Sequence, residues 1–318
     1  MDKRKLGKTD MHVGIMGFGG SQIGFEQASP ENVSQLLNNA LDHGLNVIDT
    51  AECYQNSEEL IGHAISGRRQ EYYLFTKCGH SNDDSFHDWD PEWLELSVDR
   101  SLKRLDTDYI DVLQLHGCSK EILQRGEVIQ ALQRMQVKGK VRYLGYSGDG
   151  NHAKFAIGMK CFDTLQVTAN IVDQSAIKEL IPLARQQQLG VMVKRPLANA
   201  AWVNAQEHVK RFERQLAMWK KMGSSKGTLL KPAKVTYWER LRELDIPFRD
   251  DHALMLEYSL RFALSIPGVH TVLVGTTKPE RWLDNMELAS KGVLPSELYE
   301  NIRNIWRMQA DKEWEAVP

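Results

Sequence analysis

The sequence predicts an α/β fold: a (β/α)8 TIM barrel with an N-terminal hairpin and a long lid-like loop after strand 7. Three observations predict it. Eight short apolar runs that read as strands alternate with segments carrying apolar residues at helical spacing. The strand runs are nearly continuous in apolar residues, as expected when both faces of a sheet are covered. No linker or break in composition divides the 318 residues, a length that suits eight βα units in a single domain over 1–318. A doubly wound open sheet is the architectural alternative.

Taken in order, Arg4 to Val13 reads as a hairpin around Gly7-Lys8-Thr9-Asp10, and Val13 to Gly20 as a glycine-rich first strand. That strand is not a dinucleotide fingerprint, because G-x-G-x-x-G counted from Gly17 meets Gln22 at its sixth position. Ser29 and Pro30 open a helix with Val33, Leu36, Leu37, Ala40 and Leu41 on one face, stopped by Gly44. Leu45, Val47 and Ile48 form a strand ending on Asp49, and Ser57 with Glu58 and Glu59 reads as the next helix cap. Glu71 to Thr76 is a strand ending on Lys77, followed by a helix from Asp90-Pro91 carrying Leu94, Val98, Leu102 and Leu105. Tyr109 to Leu115 ends on His116, with one long helix expected to run on to Gly139. Val141 to Tyr146 ends on Ser147. Further strands are expected at 165–167, 191–193 and 271–274, and helices around 176–188, 252–265 and 279–290. Between Arg195 and about Asp251 lies a segment rich in Lys, Arg and Trp (Trp202, Trp219, Trp238), with Gly223-Ser224-Ser225-Lys226-Gly227 at its centre. Its length and its place at the carboxyl ends of the strands suggest a lid.

A formal net charge of -2 gives no reason to expect nucleic acid or an anionic membrane as a partner. Cys53, Cys78, Cys118 and Cys161 are widely spaced without a CxxC, which points to free thiols in a reducing, cytoplasmic setting. Met1 to Lys5 leads into no apolar signal region, and no run approaches the roughly 20 apolar residues of a membrane span. Oligomeric state has no signal in the sequence.

The chemistry lies at the strand ends. Asp49, Lys77 and His116 close three successive strands and Tyr54 follows in the first of the loops, so four ionisable groups converge on one mouth. Tyrosine titrates near 10 in water. An adjacent ammonium, itself held by a carboxylate, is expected to lower that value and so strengthen the phenol as an acid. His116 in neutral form can donate a hydrogen bond to a substrate oxygen. Such a set suits the reduction of a carbonyl by hydride from a cofactor. A metal-dependent hydrolase would use Asp49 and His116 as ligands, but the first strand lacks the HxH pair that it needs, and no metal is expected.

Gly44 to Glu58 matches the pattern G-x-N-x-I/F-D-T-A-x-x-Y-x-x-S-E, and Val98 to Asp111 and Lys138 to Gly145 extend the match, so the chain resembles the aldo-keto reductase superfamily over nearly its whole length. The resemblance implies Tyr54 as general acid, tuned by Lys77 and Asp49, with His116 orienting the carbonyl. It implies NADPH (NADP+) as cofactor, with Ser147 and Gln166 on the carboxamide and Leu197 beside the dinucleotide bridge, where Lys194 and Arg195 are expected to meet pyrophosphate or substrate charge. Gly275, Thr276, Lys278 and Arg281 would meet the 2′-phosphate at a helix N-terminus, and Asp284 and Asn285 the adenine. Three departures stand out. Gly148 replaces the family's asparagine, Lys194 replaces a nicotinamide-stacking aromatic, and Gln55 replaces a glycine. From loop position, Phe18, Gln22, Ile23, the loop around Phe86 and Trp89, and Trp202 are expected to line the pocket for a small aldehyde or ketone. A cofactor-binding sensor that barely turns over is the alternative.

Overall fold

The computed structural model describes residues 1–81, 83, 85–203, 235–311 and 314. The chain opens with the expected hairpin: β1 (Lys3–Lys5) pairs antiparallel with β2 (His12–Gly14), Arg4 opposite Val13. The run read as one strand from Val13 is divided, because Val13 and Gly14 belong to the hairpin and the barrel begins at β3 (Met16–Gly19). The barrel continues with β4 (Val47–Asp49), β5 (Tyr73–Cys78), β6 (Ile110–His116), β7 (Val141–Ser147), β8 (Thr164–Thr168), β9 (Gly190–Lys194) and β10 (Thr271–Val274). All eight are parallel, and β10 pairs with both β9 and β3, so the sheet is closed. The open-sheet alternative is thereby removed.

Strand side chains alternate between the barrel interior and the surrounding helices. Val47, Phe75, Val112, Met192 and Leu273 point inward at the amino ends, where Leu6, Met11 and Val13 of the hairpin close the barrel floor. Two residues further along the same strands, the same parity brings Asp49, Lys77 and Gln114 into the interior, and a further two bring His116 to the rim. The opposite parity, represented by Ile48, Leu74, Leu113, Leu115 and Val274, packs beneath the helices.

Helix Pro30–Asp42 starts where Ser29 Oγ accepts from Asn32 N at 3.2 Å, with Pro30 at its first position. Helix Pro91–Leu105 is capped in the same way by Asp90. Three expectations need correction. Ser57 is not a cap: helix Ser57–Ile65 has Asn56 there, and Ser57 Oγ is buried, donating to Gly20 O at 2.8 Å. The helix expected to run to Gly139 is two, Lys120–Arg125 and Glu127–Val137, because Gly126 takes a left-handed φ of 79°. The helix around 176–188 breaks at Glu179 into Ser175–Lys178 and Leu180–Gln186. Helices His252–Ser265 and Pro279–Ser290 lie where expected, and a terminal helix, Ser296–Gln309, was not anticipated. Of the long segment after β9, residues 204–234, with Trp219 and the Gly223 to Gly227 stretch, lie outside the described residues. Helix Tyr237–Glu243 is described; it starts on a Thr236–Glu239 capping box, and its buried Arg240 meets Asp173 at 3.4 Å. Among the described residues no helix is long and apolar enough to cross a membrane.

Candidate active site

Inward parity at the carboxyl ends gives the barrel mouth its polar ring. Asp49 Oδ2 accepts from Lys77 Nζ at 2.5 Å, and Lys77 also donates to Thr50 O at 2.7 Å. Both side chains are buried, so the pair is held in a low-dielectric setting where each charge needs the other. Asp49 Oδ1 accepts from Gln114 Nε2 and Gln166 Nε2, each at 2.9 Å. Ser147 Oγ completes the chain by donating to Gln166 Oε1 at 3.1 Å. Gln114 escaped the sequence reading. Its signal was parity, two residues before His116 on one strand.

Tyr54 sits in the loop after β4, whose turn is closed by its own amide donating to Ala51 O. The short helix Ser21–Phe25 presses on this loop at Gly24, where a Cβ would stand 2.0 Å from Tyr54 O. Only glycine permits that approach. Around the phenol ring stand Phe25 at 5.4 Å and His116 at 5.6 Å, both edge-on, with Lys77 Nζ 5.1 Å from the ring centroid. Phe25 had no sequence signal, because its helix, Ser21–Phe25, was not read from the sequence.

The electrostatics correct one expectation. Burial raises the Tyr54 pKa above its ordinary value; Asp49 and Cys53 push the same way, and Lys77 and Arg195 oppose them without prevailing. The phenol is therefore firmly protonated, where the sequence argument had Lys77 lowering it. For Lys77, burial works against the ammonium, but Asp49, Tyr54 and the hydrogen bond to Asp49 outweigh it and the pKa is raised. His116 is pushed well below its ordinary value by burial and by Lys77, His80, Lys194 and Arg195, so it is neutral at pH 7. Its Nδ1 lies 3.3 Å from Cys53 Sγ, and its ring meets the edge of His80, which in turn faces Asp88 at 3.3 Å.

Further round the mouth, Lys194 Nζ meets Asp149 Oδ2 at 3.1 Å, and Asp149 also accepts from the Thr168 amide at 2.7 Å. Arg195, in a left-handed conformation, acts electrostatically on Tyr54, His116 and Tyr237. Leu197 packs against the core beside it. On the other flank, Gly275 leads to helix Pro279–Ser290, and Thr276 Oγ1 accepts from Lys278 N at 3.0 Å. Lys278, Arg281 and Asp284 lie at the surface there and Asn285 is buried.

The expected pocket lining is divided. Phe18 has outward parity, between Gly17 and Gly19; it is fully buried against Trp282 at 6.0 Å, behind the barrel wall and away from the mouth. Ile23 is likewise fully buried in the core beneath the helices. Neither lines a pocket. Gln22 does reach the rim: its buried Oε1 has no hydrogen-bond partner among the described residues and lies 3.0 Å from where a Gly275 Cβ would stand. Trp89 is buried with its ring over Gly79, where a Cβ would come within 2.2 Å of it, and it backs His80 at 5.5 Å. Phe86 packs on Trp93, and Trp202 is half-buried against the core.

An interior lysine–carboxylate pair beneath a half-buried tyrosine and a neutral histidine is a proton-handling site. The profile of the Aldo/keto reductase family matches residues 10–307, most of the chain and every strand of the barrel. The chain belongs to that family. The "Uncharacterized oxidoreductase YqkF" of Bacillus subtilis (strain 168) is 30% identical over 307 residues, covering 93% of this chain and 94% of that protein. The "NADH-specific methylglyoxal reductase" of Escherichia coli (strain K12) is 29% identical over 220 residues, 62% of this chain and 68% of that one. Among solved structures, the aldo-keto reductase AKR11C1 from Bacillus halodurans, in its holo form, superposes with a TM-score of 0.75 at 26% identity, covering 96% of both chains. This aldo/keto reductase is thus an oxidoreductase of a family that typically binds a nicotinamide cofactor and acts on small carbonyl compounds.

Proposed function

We propose that this aldo/keto reductase reduces an aldehyde or ketone to the alcohol with NADPH, Tyr54 serving as general acid. The observation that carries the reading is the convergence of Asp49, Lys77, Tyr54 and His116 at one end of the barrel. The residues of the mouth fit a nicotinamide dinucleotide. Gln22 Oε1 is a buried acceptor with no partner among the described residues, beside Gly275, where a Cβ would stand 2.7 Å from Gly19 O and 3.0 Å from that oxygen. Ser147 and Gln166 would hold the carboxamide, and Lys194, Arg195 and Leu197 would lie along the diphosphate. Gly275, Thr276, Lys278 and Arg281 would take the 2′-phosphate, leaving Asp284 and Asn285 for the adenine.

The cofactor, when bound, supplies hydride to the carbonyl carbon. The protein's part is to deliver a proton to the oxygen. Tyr54 is protonated throughout the neutral range, because burial holds its pKa up. As charge develops on the oxygen, the phenol passes its proton across. The ammonium of Lys77 then stabilises the tyrosinate left behind. Asp49 keeps that ammonium charged and aimed. His116, being neutral, donates an N–H to the same oxygen without introducing a second acid.

A cofactor titration followed by tryptophan quenching, with NADPH oxidation across an aldehyde and ketone panel, tests this function. Tighter binding of NADPH than of NADH, with turnover of at least one carbonyl compound, is expected. Equal affinities remove the 2′-phosphate assignment. Cofactor binding with no turnover on any carbonyl favours a sensor over an enzyme.

A further inference from the structure

The imidazole of His116 has one proton and two nitrogens, and which of them carries it decides whether the ring can donate to a substrate from Nε2. In a neutral histidine the tautomer is set by the hydrogen bond made at the other nitrogen. At Nδ1 the neighbour is Cys53 Sγ, 3.3 Å away, within hydrogen-bond reach for sulfur. Cys53 does not drift there. The Glu52 amide before it donates to Lys77 O at 3.2 Å and the Tyr54 amide after it donates to Ala51 O at 3.0 Å, so the turn fixes the backbone from which its side chain reaches His116.

Two arrangements satisfy the contact: S–H donating to Nδ1, or Nδ1–H donating to sulfur. The second needs a good sulfur acceptor, which a thiolate is and a thiol is not. Burial, against the opposing charge of Lys77, pushes the Cys53 pKa up to about 12, so the group is a thiol. An unprotonated imidazole nitrogen is much the better acceptor of the two.

We infer that Cys53 is a positioning residue: its S–H donates to His116 Nδ1 and fixes the tautomer that carries the proton on Nε2. The inference rests on the proposed role of His116 as donor to the carbonyl oxygen. Cys78, next to Lys77 in sequence, and Cys118, two residues past His116, do nothing comparable. Their sulfurs face the backbone oxygens of Gln114 and Ser119.

The test uses the full chain labelled with 15N-histidine, the His116 signals being identified by their loss in His116→Gln. Long-range 1H–15N correlation spectra at pH 7 should show His116 with Nε2 protonated and Nδ1 bare in the wild type and in Cys53→Ser, whose hydroxyl also donates. Cys53→Ala should show a mixture of tautomers. In carbonyl reduction, Cys53→Ala should lower kcat about tenfold while leaving the NADPH affinity unchanged, and Cys53→Ser should recover most of the loss. A wild-type histidine protonated at Nδ1, or a Cys53→Ala spectrum identical to wild type, overturns the inference. The spectra need no turnover, so absence of reductase activity in the wild type would sink the reaction while the role of Cys53 is still decided.

Discussion

Replacing Asp49 by asparagine removes one charge and little volume from the buried ion pair inside the barrel. Lys77 would keep its ammonium in the interior, 2.7 Å from Thr50 O, with no anion to match it. Stranding one member of a buried pair destabilises a protein by about 3–5 kcal/mol, a large share of the roughly 5–15 kcal/mol that holds a domain folded. Shedding the proton instead is no escape, since it costs about 1.4 kcal/mol for each pH unit that the lysine pKa must fall. Although burial opposes the ammonium, Asp49 and its other partners raise the Lys77 pKa in the folded state. The stability from the pair is therefore fully present below the ordinary lysine pKa and is lost only as pH rises through the raised one, so a measurement at pH 7 senses all of it. The assay is urea denaturation at pH 7 of wild type, Asp49→Asn and Asp49→Asn/Lys77→Met. The single variant should lose about 3–5 kcal/mol, and the double variant should regain most of it. An apolar chain of similar length needs no partner, while the introduced amide oxygen can still accept from Gln114 and Gln166. A single variant within about 1 kcal/mol of wild type would refute the reasoning, since it would mean that the ammonium never depended on Asp49.

Other consequences concern the rest of the mouth. Arg281→Ala should weaken NADPH about tenfold and leave NADH nearly unchanged, measured by tryptophan quenching; an equal loss for both would assign Arg281 to something other than the 2′-phosphate. Because the His116 pKa is depressed by burial and nearby cations, stability that is complete above the ordinary histidine value must fall as pH drops below it. His116→Gln should flatten the part of the Tm profile between pH 7 and 5 that this histidine causes. Glu52 is the reverse case: burial and then Glu58 raise its pKa to about 7, so its contribution is present at low pH and lost as pH rises through 7. Glu52→Gln should accordingly stabilise the protein by roughly 2–3 kcal/mol at pH 9, with little effect at pH 5, by denaturant midpoint.

The barrel and the core of its mouth were legible because they are written locally. A short apolar run ending in a polar residue names both a strand and its carboxyl end, so Asp49, Lys77 and His116 could be picked out from sequence alone. What depends on parity or on distant partners was less visible. Phe18 lies one residue from inward-facing glycines, and that single step sends it behind the wall to Trp282. Gln114 looked like strand filler until its neighbours across the interior were in place. The Lys194–Asp149 contact joins the end of β9 to a helix cap 45 residues earlier, which no local pattern announces. The direction of the Tyr54 shift was misjudged because a sequence shows the lysine but not the depth of burial that outweighs it. Cys53, read only as one of four free thiols, differs from Cys78 and Cys118 in meeting a side chain of the site, His116, rather than a backbone oxygen.

Proton delivery by Tyr54 is tested most directly by single-turnover oxidation of bound NADPH with a reactive aldehyde, comparing wild type with Tyr54→Phe. That substitution removes only the phenolic oxygen and leaves the ring in place against Phe25 and His116. Wild type should oxidise the cofactor, and Tyr54→Phe, binding NADPH equally well, should do so about 10²–10⁴-fold more slowly. Equal rates in the two proteins would contradict Tyr54 as the proton donor.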